Sequence, residues 1–227
     1  MQCLQVCQER ISFPAVSKVE EGNNAMNQFQ IRANNFLTRN VNAFYHMQYT
    51  RMGNPGNPDY LNDLKNTFNS FSEQKLRSAV LELRTVLQED LPLISQSLGF
   101  EAITVCVIPR AKAEGNYHAN QQLFRTTVVA VIRQLTGFVD GTSYIRRLTN
   151  TRTTHLNRPI PNYTNDGSMP YPGITEETCD LSPNLRGMNI LLIDDIYTPG
   201  VNIDEDAINA LYNTGARTVT FYAIGKV

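Results

Sequence analysis

Three short runs of apolar residues, rich in side chains that favour strands, constrain the fold of this chain most strongly. They are ITVCVI at 103–108, NILLID at 189–194 and VTFYAI at 219–224. Runs without polar alternation are typical of strands in a parallel sheet that helices cover on both faces. Helical patterns separate these runs along the chain, so the sequence predicts an α/β fold with a parallel sheet for about residues 100–227.

The helical patterns show apolar residues at spacings of three and four. The clearest one begins at Ser72, a favourable N-cap residue, and ends at either Pro92 or Gly99. Gly137 stands in the position of a C-cap glycine for a second helix. The further elements that we predict are helices over 118–135 and 204–213 and strands over 143–148 and 174–180.

The first part of the chain has a different character, because its first 70 residues are rich in Asn and Gln and weakly patterned. We predict a helix over 22–38 and a strand over 42–51. These segments and the helix from Ser72 together predict a mostly helical N-terminal extension or hood. Residues 1–99 would then pack on a core domain of residues 100–227.

Charge and hydropathy exclude several classes of function. The 20 Lys and Arg residues nearly balance the 21 Asp and Glu residues, so there is no strong signal for nucleic-acid binding. No stretch approaches the ~20 apolar residues of a membrane helix. The N-terminal residues lack the apolar run of a signal peptide. We therefore expect a cytoplasmic protein without a membrane partner.

Two adjacent acids, Asp194 and Asp195, end the second strand pattern. Ligands of parallel sheets bind beyond the carboxyl ends of the strands, so the acids fall at the expected binding crevice. The loop TPGVN at 198–202 follows and offers a hydroxyl, an unhindered backbone and a side-chain amide just before a helix. Such a loop at a helix N-terminus binds anions, and phosphate is the commonest.

A second loop, PRAKAEGN at 109–116, follows the first strand pattern and carries Arg110 and Lys112. Its cations suit a second anion such as pyrophosphate. One crevice would then hold a 5-phosphate, a ribose and a pyrophosphate, which is the layout of phosphoribosyl pyrophosphate (PRPP). The alternatives are a solvated basic loop and a strand-end acid pair that makes only structural hydrogen bonds.

The stretch ILLIDDIYTPGVN at 190–202 is similar to the PRPP-binding signature of type I phosphoribosyltransferases. The segment VIPRAKAEGNYHANQQL at 107–123 resembles the ComF-like and amidophosphoribosyltransferase-like branch, in which a strand ending in Pro leads into a basic loop and then a helix. The resemblance covers roughly residues 100–225. It implies a type I phosphoribosyltransferase-like core.

The resemblance also implies roles for individual positions. Asp194 and Asp195 would be the catalytic acids that hold the ribose hydroxyls, and they would contact Mg²⁺ indirectly, through the ion bound to PRPP. The 5-phosphate would lie on the turn formed by Thr198, Pro199, Gly200, Val201 and Asn202. Pyrophosphate would lie on Arg110, Ala111 and Lys112. A flexible loop, residues 149–173, would close over the substrate, and contacts to the leaving group would come from Arg147, Arg152 and Arg158.

The function implied by the resemblance is that of a glycosyltransferase. It would transfer ribose 5-phosphate from Mg²⁺-bound PRPP to a nitrogen nucleophile, such as a nucleobase, and release pyrophosphate. Pro199 lacks an N–H group and Asn202 replaces the usual Thr or Ser, so we expect weaker PRPP binding. These departures keep a second hypothesis open: a non-catalytic sensor or regulatory subunit that binds PRPP or a nucleotide. The resemblance further predicts a homodimer or a subunit of a larger complex, and no motif identifies the acceptor.

Overall fold

A six-stranded mixed sheet organises the chain, and the computed structural model describes residues 26–154, 156 and 163–227. All neighbouring strands in this sheet are parallel except the first pair, which is antiparallel. The predicted α/β class with a mostly parallel sheet is therefore confirmed. In spatial order the strands are β1 (Asn27–Ile31), β2 (Val41–Gln48), β8 (Thr218–Lys226), β7 (Asn189–Tyr197), β3 (Ile103–Val107) and β4 (Phe138–Asp140).

Helices cover both faces of the sheet because its central strands are apolar on both sides. On β7, Ile190 and Leu192 face one core cluster, which contains the buried side of α4 (Ile203–Asn213). Leu191 and Ile193 face the other cluster. That second cluster is covered by α1 (Tyr60–Lys65), α2 (Glu73–Leu98) and α3 (Leu123–Ile132). Each fully buried Leu or Ile contributes about 1.5–3 kcal/mol, so the three apolar runs stabilise both layers.

The long helix α2 begins as predicted and ends at the later of the two predicted positions. The Ser72 side chain accepts a hydrogen bond from the backbone N–H of Lys75 at 3.4 Å, and Gly99 is the C-cap with φ of 65°. The helix continues through Pro92 because Leu91 and Ile94, on either side of it, are fully buried. Their burial outweighs the backbone hydrogen bond that Pro92 does not make.

The prediction of a helix over 22–38 is wrong for the described residues. Residues 27–31 form β1, and residues 32–40 contain no helix. Phe29 and Ile31 point toward the core while Gln28 and Gln30 are exposed, and this period of two is that of a strand. Since β2 pairs with β8, the segment before residue 100 contributes two strands to the main sheet as well as two helices.

Two other elements differ in detail from the sequence expectation. Helix α3 ends at Ile132 with Arg133 as its C-cap, so Gly137 does not cap it. Gly137, with φ of 82°, instead leads into β4, a strand of three residues that is too short to show a pattern. The predicted strands at 143–148 and 174–180 are β5 (Ile145–Arg147) and β6 (Cys179–Leu181), which pair only with each other.

Among the residues described, no helix has the length and apolar character to cross a bilayer.

Candidate functional site

The segments that follow β3 and β7 meet at one cavity of about 460 Å³. Strand β7 runs past its last pairing with β3, at Ile193, and from there pairs only with β8. Asp194 and Asp195 therefore belong to β7, at the position where β3 no longer pairs with it. Both acids line the cavity, together with Arg110, Ala111 and Lys112 of the basic loop.

The carboxyl group of Asp194 lies against protein groups on its inner side. One of its oxygens, Oδ1, accepts a hydrogen bond from the backbone N–H of Asp195 at 2.8 Å. Its side chain also shares a hydrogen bond with Asp204, which is 3% exposed in the first turn of α4. Burial, and then the charge of Asp195, raise the pKa of Asp194 to about 7. Burial, and then the charge of Asp194, also raise the pKa of Asp204 well above its usual range.

The neighbouring acid, Asp195, forms an ion pair with a residue from the N-terminal segment. Lys65 Nζ lies 3.3 Å from Asp195 Oδ2, and the two side chains are 25% and 20% exposed. Burial alone would lower the pKa of Lys65, but the charges of Asp195 and Asp194 outweigh burial and raise this pKa. The last residue of α1 thus supplies a cation beside the two acids.

The basic loop after β3 is held by contacts from three directions. The guanidinium of Arg110 donates to the carbonyl of Gln121 and lies 4.3 Å from the centre of the Tyr117 ring. Lys112 is 8% exposed, and its ammonium lies 2.8 Å from Asp166 Oδ1. The carbonyl of Ala111 accepts from the backbone N–H of Thr151 at 2.7 Å. The loop is therefore preorganised, with its cations at the cavity wall.

The three arginines expected to reach a leaving group have different positions. Arg147 lines the cavity but is 4% exposed, and it donates to the carbonyls of Arg110 at 3.1 Å and Gly173 at 2.5 Å. Burial lowers its pKa, and its contacts tie the basic loop to residue 173. Arg152 is exposed and does not line the cavity. Arg158 lies outside the described residues.

The predicted 5-phosphate turn precedes α4 but contributes nothing to the cavity wall. The structure describes all five residues of the turn, Thr198, Pro199, Gly200, Val201 and Asn202, and none of them lines the cavity. Ile203, which follows the turn, does line it. The turn uses one of its own N–H groups internally, since that of residue 201 donates to the carbonyl of residue 198 at 3.0 Å. The N–H of residue 203, the first residue of α4, donates to the carbonyl of residue 201 at 2.9 Å. Gly200 has φ of 83°, a conformation that favours glycine.

The side chain of Asn202 connects this turn to the N-terminal segment. Its Oδ1 accepts a hydrogen bond from Asn34 Nδ2 at 3.1 Å, and its Nδ2 donates to the carbonyl of Gly200 at 3.3 Å. It makes no side-chain cap hydrogen bond to α4. The structure thus brings the acids and the basic loop together at one cavity and places the turn beside it.

No protein-family model matches this chain. No curated protein matches it either. What the site can do has therefore to be inferred from its own residues.

Several residues of the site carry no motif that would have selected them. Lys65 ends a helix of six residues, and its partner Asp195 is 130 positions away in the sequence, so no local pattern connects them. The run DED at 204–206 is the one available signal, since acids favour the first turn of a helix. Asp206 accepts from the N–H groups of Gly173 at 2.6 Å and Ile174 at 2.8 Å, and so anchors the end of the 149–173 loop.

Metal binding at this site is limited by its donor set. Within the described ranges, no group of three or more His, Cys, Asp or Glu side chains is placed to hold an ion. Magnesium commonly binds to one or two carboxylates and completes its coordination with substrate phosphates and water. The oxygen donors of Asp194 and Asp195 at the cavity wall fit such an ion, which would enter with its substrate.

Proposed function

We propose that this chain is a phosphoribosyltransferase that uses Mg²⁺-bound PRPP and transfers ribose 5-phosphate to a nitrogen nucleophile. One observation carries the proposal: an acidic strand end and a basic loop, 82 residues apart in the sequence at their nearest positions, Lys112 and Asp194, line one cavity of about 460 Å³. That volume lies within the usual range for small-molecule sites. The hydroxyl groups of a ribose require hydrogen-bond acceptors, and a diphosphate attached to the ribose requires cations. The cavity has acidic side chains for the first and basic side chains for the second.

The charges of the lining residues suggest how each part of the substrate binds. The carboxylates of Asp194 and Asp195 accept hydrogen bonds from the ribose hydroxyls. Arg110 and Lys112 stabilise the diphosphate, and the 5-phosphate extends past Ile203 toward the turn at 198–202. Magnesium, when bound, adds positive charge to the diphosphate.

In the proposed reaction the bond between C1 of the ribose and the diphosphate oxygen breaks, and a bond from C1 to the acceptor nitrogen forms. The leaving diphosphate keeps the electron pair, and positive charge develops on the ribose ring. Cations of the basic loop stabilise the leaving anion, while carboxylates beside the ribose tolerate the cationic sugar. Water has to be kept from the reacting sugar, because it would otherwise hydrolyse the same sugar.

A second candidate function is a PRPP- or nucleotide-binding module without turnover. The observation that favours it is the internal pairing of three of the lining cations: Lys65 with Asp195, Lys112 with Asp166, and Arg125 with Glu114. The hydrogen bond from Asn34 also occupies the side-chain oxygen of Asn202. Such a module would act as a sensor or as a regulatory subunit of an assembly.

Two measurements on the same protein separate these candidates. The first is titration calorimetry of PRPP in the presence of Mg²⁺, and the second is pyrophosphate release from PRPP against a panel of nucleobases and other nitrogen nucleophiles. Binding together with release in the presence of one acceptor supports the enzyme. Binding without release for any acceptor supports the module, and a folded protein that does not bind PRPP contradicts both.

A further inference from the structure

Two short segments of the 149–173 loop cover the donor groups of the basic loop. We call them the strap, which consists of Asn150, Thr151 and residues 166–168. Lys112 Nζ donates to Asp166 Oδ1 at 2.8 Å and to the carbonyl of Thr151 at 3.1 Å. The Asn150 side-chain oxygen accepts from the backbone N–H of Ala113 at 3.0 Å and from the Asn116 amide at 2.9 Å. Three donors of the basic loop, one of them charged, thus already hold oxygen acceptors.

The two acceptor side chains of the strap are held as one unit. Asn150 Nδ2 donates to Asp166 Oδ2 at 3.1 Å, which joins the amide to the carboxylate. The backbones are joined as well, because Ser168 N donates to the carbonyl of Asn150 at 3.3 Å. This close approach depends on Gly167, which has φ of 108° and whose added Cβ would lie 2.4 Å from the Asn150 carbonyl oxygen. A larger residue at position 167 would therefore separate the two segments.

Burial is unequal between the two charged partners. The Lys112 side chain is 9% exposed and the Asp166 side chain is 54% exposed. A buried ammonium is costly without an anionic partner, whereas an exposed carboxylate can return to water at little cost. Replacing Asp166 by another anion keeps the Lys112 charge compensated, so an anionic ligand can displace the strap without leaving a buried cation unpaired.

From this geometry we infer that the strap is an internal competitor that occupies the diphosphate subsite until a diphosphate group displaces Asp166 and Asn150. The inference rests on the proposed function, because it takes Lys112 and its loop as the diphosphate-binding groups. It adds regulation to that site: the affinity for any diphosphate ligand contains the cost of releasing the strap. Removing the Asp166 charge lowers that cost and strengthens binding.

The test is titration of the full chain with inorganic pyrophosphate at constant ionic strength, with PRPP–Mg²⁺ as a second ligand. We expect Asp166→Asn to bind pyrophosphate about three- to tenfold more tightly than the unmodified protein, since one competing charge is removed. Gly167→Ala should act in the same direction by separating the strap. Asp180→Asn is the matched control, because Asp180 is also 54% exposed and forms an ion pair with Arg146, which does not line the cavity. It should leave the affinity unchanged.

Unfolding curves establish that each variant is folded before titration. Equal or weaker pyrophosphate binding by folded Asp166→Asn, in a protein that still binds PRPP, would overturn the strap and leave the proposed function intact. An equal gain in Asp180→Asn would also overturn it, because the effect would then come from overall charge. Failure of every variant to bind either ligand would overturn both proposals.

Discussion

At the scale of single residues, the ionised form of Asp194 is destabilised by burial and by nearby negative charge, and the surrounding residues compensate this only in part. Asp194 lies between the charge of Asp195 and the buried carboxyl group of Asp204. Lys65 compensates Asp195 by a direct ion pair and contributes to Asp194 only at longer range. A ligand whose hydroxyls hydrogen-bond to these oxygens would relieve this cost.

The first prediction concerns Asp194→Asn. The amide cannot ionise and can donate to Asp204, so it removes the cost of a charged Asp194. Because the pKa of Asp194 is raised to about 7 in the folded state, that cost appears as pH rises from about 4 to about 7 and is constant above this range. Chemical denaturation should show a gain of about 1–3 kcal/mol in the free energy of unfolding at pH 8, and little gain near pH 4.

A loss of stability at pH 8 in Asp194→Asn would mean that the ionised carboxylate is a structural group. For ligand binding we expect a loss, in contrast to the gain in stability. Asp194→Asn combined with Asp195→Asn should abolish PRPP binding in calorimetry.

The second prediction concerns His46, which lies away from the cavity. His46 Nδ1 is 2.9 Å from Asp90 Oδ2, and the same oxygen accepts from Tyr222 at 2.6 Å. The hydrogen bond to Asp90 raises the pKa of His46, against a smaller opposing effect of burial. The stabilisation is therefore complete below the unfolded-state pKa of 6.5 and is lost as pH rises through the higher folded-state value.

We expect the free energy of unfolding of His46→Gln to fall below that of the unmodified protein near pH 6, with the difference shrinking toward pH 9. Denaturation curves across this range provide the measurement. Parallel pH profiles for the two proteins would show that the pair with Asp90 does not depend on histidine protonation.

At the scale of structural elements, the turn from Thr198 to Asn202 offers few hydrogen-bond donors for a phosphate. Pro199 supplies no N–H group, and the N–H of Val201 is used within the turn. The Thr198 hydroxyl and the Gly200 N–H remain for a phosphate, because the Asn202 side-chain amide already has a partner at both its oxygen and its nitrogen. Their number favours weak rather than tight binding of a 5-phosphate.

The third prediction is that Pro199→Thr tightens PRPP binding. A restored N–H would donate to a charged phosphate, and one such bond is worth ~1.5–3 kcal/mol, so we expect a gain of about 10- to 100-fold. Competition binding against a labelled PRPP analogue measures it. Unchanged affinity would indicate that the phosphate does not contact this turn.

How far the sequence predicts the elements depends on where each one obtains its stability. β3, β7 and β8 are buried on both faces, so their composition alone identifies them, and Ser72 marks the start of α2 by a local hydrogen bond. β1 was missed because five residues with one exposed face leave only the weak alternation of Phe29 and Ile31. Lys65 and Asp166 could not be predicted, since tertiary packing alone places them against Asp195 and Lys112.

At the scale of the whole molecule, the N-terminal segment is part of the core rather than an addition to it. β2 pairs along β8, and α1 brings Lys65 to the cavity. The boundary at residue 99 therefore divides a chain whose two parts share one sheet. The proposed substrate site draws on both parts, because its acids come from β7 and one of its cations from α1. Dimer formation stays a prediction, which light scattering would check.

The most direct measurement is a crystal structure of the protein soaked with PRPP and Mg²⁺. We predict ribose hydroxyls within hydrogen-bond distance of Asp194 and Asp195, the diphosphate on the loop of Arg110 and Lys112, and Asp166 displaced from Lys112. A crystal at saturating ligand in which Lys65 still pairs with Asp195, Asp166 still pairs with Lys112 and no sugar occupies the cavity would contradict the proposed function.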